Sequence, residues 1–218
     1  MPETSTIEII AGPTASGKSS YAMQRGRKAD GVIINADSLQ IYNALPILTA
    51  QPGAEETAEI PHYLYAALAP DQACSAGAWR KMAIPVIEDT LQAGRTPIVV
   101  GGSGLYLNAL IHGLSPIPDI PDAMRQHAND HLAEIGHDAF LAELTALDPE
   151  TVKHIDTNNP VRLQRAWEVI KATGTPLIEW QCRARYGPPG HWHFHITAII
   201  PDREALHARS DARFDKMV

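Results

Sequence analysis

Apolar residues in this chain gather in short runs, and most runs are followed by a stretch with helical spacing. Ile7, Ile9, Ile10 and Ala11 form the first run, Val32-Ile33-Ile34-Asn35-Ala36 the second and Pro97-Ile98-Val99-Val100 the third. They are short and rich in β-branched side chains, so they predict strands. The second is apolar enough to be buried on both faces, as in a parallel sheet. Helical segments follow from Ser20 to about residue 28, over 76–93, and from Leu105 to about Ile111. In 76–93 the residues Trp79, Met82, Ala83, Val86, Ile87 and Leu91 recur near 3.6 spacing. Pro85 predicts a kink there or a shorter helix, and Gly94 a stop. Residues 39–42 and 44–52 read as a short helix and an ordered loop, and 61–64 as a further strand or loop edge. Strands alternating with helices predict an α/β fold with a parallel sheet core.

From Leu114 the pattern changes. Residues 115–121 are a linker by proline content. Residues 122–135, 137–146, 149–155 and 160–173 then carry helical patterning only. Asp148-Pro149 and Asn159-Pro160 mark helix starts, and Gly174 ends the last helix. Residues 183–191, rich in Arg, Gly and Pro, read as a flexible loop. A strand through Ile196–Ile200 and a helix over 202–218, with no stop signal, complete the chain. The expected organisation is a core over 1–118, an all-helical insertion over 119–185, and a return to the core over 186–218.

A chain of 218 residues, 44% hydrophobic, suffices for one α/β domain with an insertion. Cys74 and Cys182 have neither disulfide nor metal spacing, which suits a reducing cytosol. No apolar run reaches the ~18 residues of a membrane span, and no signal peptide is visible. The expectation is a cytoplasmic protein without membrane contact. A net charge of −7 argues against a general nucleic-acid coat, although a local basic surface remains compatible with RNA binding.

The chemistry centres on Gly12-Pro13-Thr14-Ala15-Ser16-Gly17-Lys18-Ser19, a phosphate-loop pattern between a predicted strand and a predicted helix. Gly12 and Gly17 let successive backbone N–H groups face one anion, and the following helix points its positive end at the same place. Lys18 adds a point charge. Ser19 offers a hydroxyl to a phosphate or to Mg²⁺. Gly12, Thr14, Ala15, Ser16, Gly17, Lys18 and Ser19 are therefore candidates for binding a di- or triphosphate. Asp37 ends the second strand, where ligands of open α/β sheets gather. A helix N-cap is its other reading. His62 is a candidate base or a structural histidine. Ser103, in Gly101-Gly102-Ser103-Gly104, lacks the Gly-x-Ser-x-Gly spacing of a hydrolase elbow and fits a phosphate- or base-contacting loop. His191, His193 and His195 alternate, but no carboxylate accompanies them to complete a metal site. Arg162 and Arg165 share one helical face, commonly a solvated one.

Taken together, the motifs resemble the tRNA dimethylallyltransferase (tRNA isopentenyltransferase) family. The matching stretches are 12–19, 35–42, 48–52, 61–64, 100–106, 148–149, 159–169 and Arg-x-x-Leu-x-x-Arg-x-x-x-Arg-Phe at 203–214. They occur in the family's order across nearly the whole chain. The resemblance implies a P-loop NTPase-like core with a helical insertion that faces tRNA. It implies transfer of a dimethylallyl group from dimethylallyl diphosphate, with Mg²⁺, to N6 of adenosine 37 in the anticodon loop of tRNAs reading codons that begin with U. It implies a monomer. Asp37 becomes the base, and Arg213 the clamp on the diphosphate, with Ser103 beside the reacting base. Ser38, Leu39, Gln40, Ser103, Arg125 and Val161-Arg162-Leu163-Gln164-Arg165, together with Asp37, become the tRNA side. Departures are Ser103 in place of a common threonine, and Leu48 and Gln51 in place of a common glycine and lysine. Family members usually run on beyond the position of Val218. The alternatives are a P-loop kinase acting on a nucleotide or small molecule, an isopentenyltransferase acting on free adenine nucleotides, and a short form that binds tRNA without turnover.

Overall fold

The computed structural model of the chain describes residues 5–215. Two compact units emerge, Met1–Gly113 with Gly187–Val218, and Leu114–Tyr186.

The first unit is built on five parallel strands: β1 (Ser5–Ala11), β2 (Gly31–Asn35), β3 (His62–Tyr63), β4 (Thr96–Gly101) and β5 (Trp192–Ala198). Their order in the sheet is β3-β2-β4-β1-β5. All neighbours run parallel, so each connection must cross over, and helices supply the crossovers. They include α1 (Lys18–Ala29), the short α2 (Pro46–Thr49) and α3 (Ala54–Glu59), α4 (Ala76–Gln92) and α5 (Gly104–His112), whereas α11 (Arg203–Asp215) follows β5. Ile7, Ile9, Ile10, Ile33, Ile34, Ile98 and Val99 are almost completely buried, as continuous apolar strands in a parallel sheet should be.

Pro85 does not break its helix. It lies inside the 17-residue α4, which runs on to Gln92. Only one backbone donor is missing, and the apolar face on either side of it, Trp79, Ala83 and Ile87, is fully buried. Of the three alternating histidines, His191 precedes β5, whereas His193 and His195 are exposed on it. The last residues of the terminal helical run, Lys216, Met217 and Val218, lie outside the described residues.

The second unit holds α6 (Asp122–Ile135), α7 (His137–Leu147), α8 (Pro149–Val152), α9 (Pro160–Thr173) and α10 (Leu177–Cys182). Asp148 and Asn159 cap α8 and α9 with their side chains, each just before a proline. Two expectations need correction. The helix at 149–155 closes after Val152, because the chain turns and Asp156 takes the Asn158 N–H. Gly174 is not the end of helix in this unit: α10 follows. Its first N–H groups find tertiary partners, Leu177 on the Asp148 carboxylate and Ile178 on the Thr151 hydroxyl, so no local capping residue announces it. The core comprises Ile120, Ala128, Phe140, Leu144, Leu163, Ala166, Trp167, Val169 and Leu177.

One polar network edges this core. The Glu143 carboxylate accepts from His131 Nε2 at 2.6 Å, from Trp167 Nε1 at 3.0 Å and from Lys171 Nζ at 3.1 Å. These bonds, that to His131 foremost, hold Glu143 down at about 2 against an ordinary 4.5. A depressed carboxylate pKa stabilises the fold above the unfolded value, and the gain is lost as pH falls through the folded one. Glu143→Gln is expected to lower stability at pH 7 by about 1 kcal/mol. It should also flatten the pH dependence of the denaturation midpoint below the ordinary carboxylate value, compared with the parent chain.

Candidate functional site

At the carboxyl end of the sheet, β1, β4 and β5 finish level, with Ala11 opposite both Gly101 and Ala198. The ladder continues into the loops. Ala36 N–H donates to Val100 C=O at 2.7 Å, Ile199 N–H to Ala11 C=O at 2.8 Å, and Ser103 N–H to Ala36 C=O at 3.3 Å. Three loops thereby meet: the phosphate loop after β1, the Asp37 turn after β2 and the glycine-rich turn after β4. The approach is close enough to dictate Gly101. A Cβ there would stand 2.0 Å from the Ala36 carbonyl oxygen.

The phosphate loop leads into α1 through Gly17, at φ 92, a left-handed conformation that favours glycine. Lys18 Nζ rests on Pro13 C=O at 3.2 Å. Burial pushes the Lys18 ammonium below its ordinary pKa; the nearby Asp37 charge opposes this and Arg213 adds to it. An anion in the loop would restore the balance in favour of the charged lysine. Ser16 Oγ is buried without a partner, and Ser19 is exposed at the first turn of α1.

A cleft of about 310 Å³ opens over this loop, lined by Ala15–Ser20, Gln40, Ala50, Arg209 and Arg213. Both arginines come from α11, four residues apart and so on one face. Arg209 Nη1 donates to Ser16 C=O at 3.3 Å, and Arg213 Nη2 to Leu48 C=O at 2.8 Å. Three cationic side chains therefore border one anion-sized space.

Asp37 is half-buried, and its Oδ1 accepts the Leu39 N–H at 2.9 Å. It thus caps its own turn while its charge reaches Lys18 at the cleft. Burial raises the pKa of the Tyr65 and Tyr106 hydroxyls, and the Asp37 charge adds to both. Ser103 Oγ accepts the Ser38 N–H at 2.9 Å, so this hydroxyl braces the Asp37 turn. Gln40 spends its amide donors on Thr49 and Ala50 carbonyls, at 2.8 and 2.9 Å, fixing the end of α2. Gln51, at the site of a common lysine, donates to Tyr42 C=O at 2.7 Å. His62 Nδ1 is hydrogen-bonded to Ile60 C=O at 2.7 Å, a structural position at the sheet edge.

The remaining candidates lie in the helical unit. Val161 and Arg162 are exposed, and Arg125 is exposed in an ion pair with Asp122. Gln164 is half-buried, and Arg165 pairs with Glu168 at 3.1 Å. Leu163 is a correction. It is fully buried in the core of the unit, so its side chain offers nothing to a partner. Position along the helix decides this, since 163, 166 and 167 point inward while 161, 162 and 165 do not. Two residues were not singled out from the sequence. Arg209 carried a signal, its spacing from Arg213. Asn35 carried another, a lone amide closing an apolar strand two residues before Asp37.

The fold and cleft define a P-loop-type α/β protein with a helical unit inserted before its last strand. The model of the family described as IPP transferase matches residues 40–218. The tRNA dimethylallyltransferase of Paramagnetospirillum magneticum (strain AMB-1) is 48% identical over 219 residues, which cover 100% of this chain and 69% of that protein. That of Rhodospirillum centenum (strain SW) is 42% identical over 218 residues, with 100% and 69% coverage. Among solved structures, a eukaryotic dimethylallyltransferase acting on tRNA aligns with a TM-score of 0.81 at 28% identity, covering 98% of this chain and 52% of its own. The full-length tRNA isopentenylpyrophosphate transferase of Bacillus halodurans gives 0.62 at 30% identity, with 99% and 66% coverage. The chain belongs to the IPP transferase family, whose reaction is transfer of a dimethylallyl group to tRNA. It spans about two thirds of the length of its curated relatives.

Because the Asp37 turn depends on the missing Cβ at residue 101, Gly101→Ala is expected to destabilise the chain by about 1–3 kcal/mol. A lowered denaturant midpoint with an unchanged m-value would verify this.

Proposed function

We propose that the cleft over the phosphate loop holds dimethylallyl diphosphate and that Asp37 is the base that accepts a proton from N6 of adenosine 37 of tRNA. The observation that carries this is the convergence of Lys18, Arg209 and Arg213 on one cleft beside a half-buried carboxylate.

The chemistry follows from charge. The allylic C1–O bond breaks, and the diphosphate leaves with its electron pair. Negative charge grows on that oxygen, and loop N–H groups, Lys18 and the two guanidinium groups stabilise it more in the transition state than in the ground state. N6 supplies the electron pair for the new C1–N bond. Its proton passes to Asp37, whose second oxygen is not needed for the Leu39 bond. The base must leave its stack to reach such a cleft.

Ser19 is the residue that would hold Mg²⁺. A hydroxyl with no second carboxylate suits an ion carried mainly by diphosphate oxygens and water. When bound, the ion neutralises charge on the leaving group. In the helical unit, exposed Arg125 and Arg162 are proposed to meet the RNA backbone, with Val161 and Gln164 beside them. The set of tRNAs reading codons that begin with U, and action as a monomer in the cytoplasm, belong to the same proposal.

The test is transfer of labelled dimethylallyl to an unmodified tRNA carrying A36-A37-A38. Label at A37, lost by at least 100-fold in Asp37→Ala, is expected. Label on free AMP but not tRNA, or hydrolysis of ATP in place of transfer, would sink the proposal. A second measurement separates binding from chemistry. Arg209→Ala should weaken pyrophosphate affinity about tenfold or more, through loss of a charge-assisted bond, as titration calorimetry would register.

A further inference from the structure

We infer that Asn35 is a positioning residue for transfer: its buried carboxamide fixes the main chain of Asp37 and thereby aims the carboxylate. The inference rests on the reading of Asp37 as the base.

Asn35 is completely buried at the end of β2. Its Oδ1 accepts the Asp37 N–H at 2.8 Å, and its Nδ2 donates to the Asp37 C=O at 3.1 Å. One planar group thus holds both polar atoms of the Asp37 main chain. The second Nδ2 hydrogen goes to Leu64 C=O at 2.9 Å, which anchors the carboxamide to the chain just past β3. Its own main-chain carbonyl accepts from Trp79 Nε1 at 2.8 Å, a bond that ties the end of β2 to α4 and does not involve the carboxamide. With its backbone clamped, Asp37 gives Oδ1 to Leu39 N–H, and Ser103 pins the next N–H at Ser38. The carboxylate is left with little freedom. Lys18, Tyr65 and Tyr106 are the titratable groups that feel its charge.

A plain structural role would also need these bonds, because three half-buried backbone groups lose their partner if the amide goes. What separates the two is where the loss appears. A filler residue affects folding. A positioning residue affects the rate at bound substrate, because misplacement of a reacting group by about 1 Å costs up to roughly a hundredfold.

The experiment measures kcat, KM for dimethylallyl diphosphate and melting temperature for the chain and for Asn35→Ala, Asn35→Ser, Trp79→Phe and Asp37→Ala. Trp79→Phe removes the bond to the Asn35 carbonyl but leaves the carboxamide. The result expected is a kcat about 10- to 100-fold lower in Asn35→Ala, with KM within about twofold, a smaller fall in Asn35→Ser, and parent kcat in Trp79→Phe below its melting temperature. Asn35→Ser keeps the test open should Asn35→Ala not fold. Parent kcat in a folded Asn35 variant, or an equal kcat loss in Trp79→Phe, would overturn positioning while Asp37→Ala stays inactive. Equal transfer by the parent and Asp37→Ala, or no transfer by either, would remove the base itself, and the inference with it.

Discussion

A parallel sheet runs out of hydrogen bonds at its carboxyl end, and the backbone groups left there are still largely buried. Here that shortage governs the site. The first residues beyond the strands extend the ladder, and where the ladder fails, side chains complete it. Asn35 serves Asp37 and Leu64, and Ser103 serves Ser38. Gly101 contributes by having no side chain at all. Residues that look like loop chemistry are therefore finishing the sheet, and they hold the carboxylate and the phosphate loop in register as they do so.

The same division of labour explains how much could be read without coordinates. Strands β1, β2 and β4, the long helices and the phosphate loop announce themselves through local rules: apolar runs, 3.6 spacing, proline at helix starts, glycine at ends. What stayed hidden is what depends on partners distant in sequence. Helix α10 starts on a carboxylate and a hydroxyl nearly thirty residues earlier, so nothing local marks it. Leu163 belongs to a motif that resembles a tRNA-facing stretch, yet its place on the helix turns it into the core. Ser103 also braces a neighbouring turn, a role that only the pairing of loops after β2 and β4 could disclose.

The two units solve the problem of buried polarity differently. In the sheet unit, amides and hydroxyls satisfy neutral backbone at the site. In the helical unit, a carboxylate gathers an imidazole, an indole and an ammonium at the edge of an apolar core. That network carries charge and responds to acid; the amide clamp at Asn35 does not titrate. A base that must hold one position across a range of pH is better served by the second kind of support.

Helix α11 has no buried residue, and two of its side chains reach carbonyl oxygens of Ser16 and Leu48, the former 193 residues away in sequence. Those carbonyls are weak acceptors compared with a phosphate. An anion taking both guanidinium groups while seated on the phosphate loop would act as a strut between distant parts of the chain. Part of its binding energy would then go into ordering the polypeptide, so occupancy of the cleft and rigidity of the last helix rise and fall together.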